Sequence, residues 1–368
     1  MAHLTRLVRR FRNLSLIVPI ATLLAIAPPG ATGAVASNGV QPPTLTVQTS
    51  GTTKRLQAIS PVNARVVWAS GLGGTYAITT NGGRTWRASV VPGAENLQFR
   101  DVQGVSDKIA YLLSSGVGTD SRIYKTTDGG ATWTMQFQNQ DPNGFYDCFA
   151  FWTPKRGLTF ADSVNGRFPV VRTTNGKTWQ DIGDRLPAAQ DGEGGFAASG
   201  TCVATQGEKR AWIGTGAAAK ARVLATTDGG NSWQAYDTPI VQGTSTSGVI
   251  SIAFRDSRHG ILGGGELLAP TVFSNNVARS SDGGKHWQLA SGTSFPGAVY
   301  GLSYVGESRM VVATGPSGSA WTPDEGATWF TMPGLTGYWA VAFANEHVGW
   351  LVGTGGRIEK ISFGGDND

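Results

Sequence analysis

Hydrophobic residues in this chain fall in short bursts. Thr75–Ile78, Arg122–Tyr124, Val170–Arg172 and Arg222–Leu224 are apolar or alternating stretches, and each runs straight into a polar, glycine-rich segment. Alternation places successive side chains on opposite faces of a strand. A short strand closed by Asp or Asn followed by Gly is the signature of a tight hairpin, because that turn needs positive φ. The pattern therefore predicts many short antiparallel strands.

The turns themselves repeat. Thr79-Thr80-Asn81-Gly82-Gly83-Arg84-Thr85-Trp86 recurs as Thr126-Thr127-Asp128-Gly129-Gly130-Ala131-Thr132-Trp133 and, one glycine shorter, as Thr173-Thr174-Asn175-Gly176-Lys177-Thr178-Trp179. Three more copies place Asp228 with Trp233, Asp282 with Trp287 and Asp324 with Trp329. The spacings between the tryptophans are 47, 46, 54, 54 and 42 residues. A fixed period of this size marks a repeat architecture. The Asp or Asn side chain suits the turn's own amides, so these residues and the tryptophans read as structural, with Trp wedged into the packing between sheets.

The motif S/T-x-D/N-x-G-x-T/S-W resembles the Asp-box, or BNR, repeat of β-propellers. Aligning the flanks adds a seventh unit: Cys148 with Leu158 falls in the same frame as Cys202 with Trp212, Ser251 with Ile261, Gly301 with Val311, Asp101 with Tyr111, Ala58 with Trp68 and Ala340 with Trp350. No Asp-box follows Trp350, and that unit supplies three strands before Phe363. Leu45-Thr46-Val47-Gln48 is left over as the missing outer strand, which would close the ring and leave no blade with an open edge. The expected fold is an all-β, seven-bladed β-propeller over residues 44–363, its N-terminal strand closing the last blade, with a linker at 37–43 and a polar tail at 364–368.

Composition agrees with this picture. Glycine supplies 52 of 368 residues, about twice the usual ~7 % share, with no three-residue period that would suggest collagen. Twelve Trp, fifteen Phe and eight Tyr provide ample core, which excludes a disordered chain. The net charge of +5 is concentrated at the start, where Arg6, Arg9, Arg10 and Arg12 occur without an acid; the remainder carries +1. A body this close to neutral has no bulk attraction to nucleic acid or anionic lipid. The four arginines precede an apolar run from Leu14 to Ala27 and then Ala34-Val35-Ala36. That order predicts a cleaved secretory signal over residues 1–36; the run is short for a spanning helix and contains Pro19. The expected location is exported, periplasmic or secreted, or the thylakoid lumen in a photosynthetic host.

One face of such a ring carries the hairpin turns and the Asp-boxes, with cations and acids mixed. The other carries the long connections Asn139–Asp147, Asp184–Ser199, Thr238–Ser247 and Gly263–Asn276, and loops on a rigid scaffold are where binding usually resides. Where first strands begin, Arg100, Asp147, Tyr300 and Trp339 occupy equivalent positions, with Phe99, Tyr146 and Tyr338 one step earlier and Asp101 and Phe145 adjacent. Aromatics beside Arg and Asp at a channel mouth suit a peptide loop or a sugar; the other reading is that they plug the channel. Cys148 and Cys202 sit at matching positions of adjacent innermost strands, at the edge of disulfide reach, so they form either a bridge or two buried thiols. His259, His286 and His347 lie in separate blades without ligand spacing, and neither a metal site nor a cofactor is expected.

Asp-box propellers include sialidases and other glycoside hydrolases, but no F/Y-R-x-P arginine motif precedes the first box here. Among Asp147, Asp191, Glu193 and Glu266 nothing selects the pair of carboxylates that a glycosidase needs. Gly349-Trp350-Leu351-Val352-Gly353-Thr354-Gly355-Gly356-Arg357-Ile358, with the short blades and export signal, resembles the photosystem II stability/assembly factor family. That resemblance implies a non-enzymatic propeller holding a membrane-complex subunit during assembly. A carbohydrate-active propeller is the alternative, and an oxidoreductase the third reading, for which no cofactor motif is present.

Overall fold

The computed structural model describes residues 41–364; the expected signal peptide, the linker before residue 41 and the tail from residue 365 lie outside the described residues. Seven four-stranded antiparallel sheets form the blades. Their innermost strands are Leu56–Pro61, Phe99–Gly104, Tyr146–Thr153, Val203–Gln206, Ser247–Phe254, Gly301–Tyr304 and Tyr338–Phe343, and each packs beside the next around a ring. The seventh sheet takes its outer strand from the N-terminal side: Thr44–Thr49 pairs antiparallel with Arg357–Ser362.

One side chain locks this closure. Gln48 Oε1 accepts hydrogen bonds from Trp350 Nε1 of blade 7 (3.1 Å) and Trp86 Nε1 of blade 1 (2.9 Å). Its Nε2 donates to the carbonyl of Gly82 at 3.3 Å.

The repeated turn is built as its residue types require. Asn81 Oδ1 accepts the Thr85 amide (3.0 Å), and Thr79 Oγ1 accepts the Gly83 amide (2.9 Å). The same pair of bonds recurs at Asp128 with Thr132 and Thr126, at Asp228 with Ser232 and Thr226, at Asp282 with His286 and Ser280, and at Asp324 with Thr328 and Thr322. In the shorter copy Asn175 Oδ1 accepts the Thr178 amide at 2.9 Å. The turn's hydroxyl and amide donors, the Thr132 hydroxyl foremost, hold Asp128 down at about 2. Burial pushes Asp228 and Asp282 up, yet the same donors outweigh it and leave both at about 2.

Each Asp-box tryptophan packs against the preceding blade. Trp86 joins the cluster around Trp350 of blade 7, Trp133 sits edge-on to Trp68 and Tyr76 of blade 1, and Trp179 packs on the cluster around Tyr111 of blade 2 and donates its Nε1 to Gln136 Oε1 there at 3.4 Å. Trp233, Trp287 and Trp329 continue the series around blades 4, 5 and 6. Blade 7 has no box, and Phe363 fills the equivalent role by packing edge-on against Trp321 of blade 6.

Cys148 and Cys202 form a disulfide between the innermost segments of blades 3 and 4, with Cα atoms 5.9 Å apart. The bridge is fully buried.

Candidate functional site

The innermost strands begin irregularly. In five blades their register slips by one residue, between Leu56 and Ala58, Phe99 and Asp101, Tyr146 and Cys148, Val249 and Ser251, and Tyr338 and Ala340. The residues so bulged are Gln57, Arg100, Asp147, Ile250 and Trp339; Tyr300 stands at the matching point before the sixth inner strand. A bulge re-aims one side chain while the strand continues. Here it gathers unlike side chains at one end of the ring.

Their contacts define a mouth. The Arg55 guanidinium lies 4.0 Å from the centre of the Trp339 ring, and Tyr300 meets Trp339 edge-on with centroids 5.0 Å apart. Arg100 donates to Gln98 Oε1 (2.7 Å) and to the carbonyl of Ala197 (3.2 Å), and its guanidinium lies 5.9 Å from the Phe145 ring centre. Burial foremost, then the charge of Arg55, lowers Arg100 to about 10 against the opposing pull of Asp147. Burial also lowers Arg55. Two desolvated guanidiniums so close together create a local demand for negative charge. Gln57 is fully buried, and neither its side-chain Oε1 nor its Nε2 is hydrogen-bonded.

The mouth is plugged from within the chain. The segment from Gly194 to Thr201 crosses it: Ser199 Oγ donates to the Tyr300 carbonyl (2.6 Å), and Ala198 packs against Ile250 and Ala298. Gly195 donates its amide to Asp162 Oδ1 at 3.1 Å. Gly200 lies so close to the Asp101 carboxylate that a Cβ there would come within 2.3 Å of Oδ1. At the base of the plug Glu193, fully buried, takes a two-pronged ion pair from Arg222 (2.9 and 2.5 Å) and a hydrogen bond from Thr215 Oγ1 (2.6 Å).

Burial divides the sequence-derived binding residues. Arg100, Phe145, Tyr300 and Trp339 are partly exposed at the mouth, whereas Phe99, Asp101, Tyr146, Asp147 and Tyr338 are buried and correct the expectation of a surface role. Strand alternation around the bulge turns Phe99, Asp101, Tyr146 and Tyr338 inward, whereas Asp147 stands at the bulge itself and is covered by Gly195 of the crossing segment. Phe99 packs edge-on against Tyr124, Tyr146 against Phe137, and the Tyr338 hydroxyl donates to Glu359 Oε2 at 3.1 Å. Asp101 spends its carboxylate on the amides of Val102 (2.7 Å) and Phe149 (2.8 Å), tying blade 2 to blade 3, and complete burial pushes its pKa well above the ordinary value. Asn139–Asp147 and Gly263–Asn276 are also shorter as loops than expected, since strands claim Tyr146–Asp147 and residues through Glu266. Arg55 escaped the sequence reading because it precedes its strand by one residue, and only the stacking on Trp339 reveals it.

The candidate hydrolytic acids sit in unlike settings. Glu193 is neutralised by Arg222, Glu266 accepts the Thr244 hydroxyl (2.6 Å) and Leu268 amide (2.9 Å), and Asp191 is exposed. Among the described residues no group of three or more His, Cys, Asp and Glu is placed to share a metal ion.

No family model matches the chain, and no curated protein matches it. Solved structures do. A structure of YCF48 bound to D1 peptide superposes with a TM-score of 0.62 at 14 % identity, covering 90 % of this chain and 99 % of that one. YCF48 from Cyanidioschyzon merolae gives 0.61 at 15 % identity over 86 % of this chain and 98 % of that one. The GH74 xyloglucanase of Xanthomonas campestris gives 0.56 at 11 % identity over 86 % of this chain, which spans about half (53 %) of the enzyme's length. At these identities the likeness is one of fold, and the chain is a seven-bladed β-propeller similar in architecture to YCF48.

Proposed function

We propose that this protein is a non-enzymatic, exported propeller that binds a protein client at the mouth formed by Arg55, Arg100, Tyr300 and Trp339, and that it assists assembly or stability of a membrane complex. The observation that carries the reading is the stacked Arg55–Trp339–Tyr300 group beside the crossing segment 194–201. A plugged mouth offers a shallow aromatic and cationic surface. Arg and Trp dominate the energetics of protein interfaces, whereas a small-molecule substrate is usually enveloped in a cleft. The assembly role is supported by the Asp-box pattern, by the closing Gly349–Ile358 segment and by the similarity in fold to YCF48, whose structure holds a D1 peptide.

In-cell cross-linking of the tagged protein, followed by mass spectrometry of captured envelope proteins, tests the reading. One membrane complex should be enriched, and the enrichment should disappear in the Arg55→Ala and Trp339→Ala variants. Capture at background level from wild type would overturn it and bring glycan hydrolysis forward as the next assay.

A further inference from the structure

A groove of about 720 Å³ opens between blade 7 and blade 1, on the face that carries the mouth. This is within the range of ligand sites, ~300–1,000 Å³. One wall is the connection from the closing strand into blade 1, Ser50 to Lys54; the other is the outer strand of blade 1, Ala88 to Val90, and Gly355 to Arg357 of blade 7 forms the end. The inner end adjoins the mouth. Lys54 is the chain neighbour of Arg55, and Arg357 holds its guanidinium 4.9 Å from the ring centre of Tyr338, the neighbour of Trp339.

The lining has a definite chemistry. It contains Lys54 and Arg357 and no acidic residue, and most of the rest are Ser, Thr and Gly. Lys54 and Ser89 are exposed. Thr75, 2 % exposed at the groove, has a hydroxyl without any hydrogen-bond partner. Such a buried hydroxyl is costly unless something satisfies it. Hydroxyls and free backbone edges suit the amides and carbonyls of an extended chain, and the exposed Lys54, with Arg357 held beside it by the Thr354 (3.2 Å) and Thr336 (2.6 Å) carbonyls, suits carboxylates along it.

From this the geometry points to an occupant: an extended, acidic segment of a client protein that lies in the blade 7–blade 1 groove and continues inward to the Arg55–Trp339 mouth. The inference deepens the proposed client-binding role and rests on it for the inner end, while the groove residues are separate from the mouth residues.

Fluorescence anisotropy on the full chain tests it, using a labelled decapeptide of alternating glutamate and serine and a matched lysine–serine peptide. The acidic peptide should bind, weaken with salt, and lose at least tenfold in affinity in Lys54→Glu and in Ser89→Trp, which fills the groove from an exposed position. The lysine peptide should not bind. No binding of the acidic peptide, or equal binding to wild type and Ser89→Trp, overturns the groove. So does displacement of the peptide by oligogalacturonate at lower concentration than by unlabelled peptide, which would assign the groove to an acidic saccharide. Cellular capture separates the two readings. Loss in Trp339→Ala but not in Lys54→Glu or Ser89→Trp leaves the mouth standing and removes the groove; the reverse pattern removes the mouth alone.

Discussion

Glu325 shows how one residue can depart from a repeated turn and be held there. It occupies the place of the first glycine in the sixth Asp-box, with φ of 56°, where the corresponding Gly82, Gly129, Gly229 and Gly283 have φ between 72° and 82°. A left-handed backbone costs a non-glycine residue about 1–2 kcal/mol. The side chain compensates by bridging blades: Glu325 accepts from Arg255 (2.7 Å), Tyr304 (3.2 Å) and Arg309 (3.3 Å). Burial pushes its carboxyl up, but Arg255 and the other donors leave it below the ordinary value. Glu325→Ala should lose about 2–3 kcal/mol, because the part-buried Arg255 guanidinium keeps only Asp256 (2.8 Å) while the strain persists. Glu325→Gly should recover roughly 1 kcal/mol of that through relief of the backbone. Denaturant midpoints of the two variants decide the order; an alanine variant at least as stable as the glycine one would show that the turn is unstrained.

At the level of the element, the Asp-box makes acid stability a property of the turns. Asp128 is held at about 2, below an unfolded value near 3.9. A depressed carboxylate adds stability that is present in full above the unfolded pKa and is lost as pH falls through the folded one. The stability difference between wild type and Asp128→Ala should therefore be constant above about pH 5 and shrink between about pH 4 and 2. Urea titrations at a series of pH values measure this, and a difference that stays flat to pH 2 would remove the carboxylate's charge from the account. These turns, and with them the blades and the closing strand, were legible in the sequence because Asp or Asn, at least one positive-φ Gly and Trp recur at fixed spacing, each with a local role in the turn or its packing. The site was only half legible. The repeat frame found the right ring of positions, Arg100, Tyr300 and Trp339 among them, but one-residue bulges decide which neighbour faces the mouth and which faces the core. Phe99, Tyr146 and Tyr338 consequently went inward. The plug was illegible for a different reason: residues 194–201 carry no pattern, and their course is set by distant partners such as Arg100, Asp162 and Tyr300.

The whole ring is held at two places by unlike means, and the two should fail differently. Between blades 3 and 4 the Cys148–Cys202 bridge closes a loop with a sequence separation of 54 residues, which in the chain-entropy view raises stability by about 4 kcal/mol, acting on the unfolded chain. Between blades 7 and 1 the closure is non-covalent and runs through Gln48, whose one carbonyl oxygen serves two indoles. Gln48→Leu keeps much of the volume but strands the N–H groups of Trp86 and Trp350, at a cost of about 1–3 kcal/mol for each that stays dry. The closing strand is exposed along much of its length, with Val47 80 % exposed, so the strand itself has little buried apolar surface to fall back on, although blades 7 and 1 share a buried cluster around Trp350. Hydrogen exchange distinguishes the two devices. In Gln48→Leu, protection should fall first in Thr44–Thr49 and in its partner Arg357–Ser362, with blades 3 and 4 unchanged. In Cys148→Ala/Cys202→Ala, global stability should fall by up to about 4 kcal/mol while the seam keeps its local protection, because the loss there lies mainly in the unfolded chain. Uniform loss of protection around the ring in Gln48→Leu would mean that the blades open only together, and that ring closure depends on their shared core and not on this one side chain.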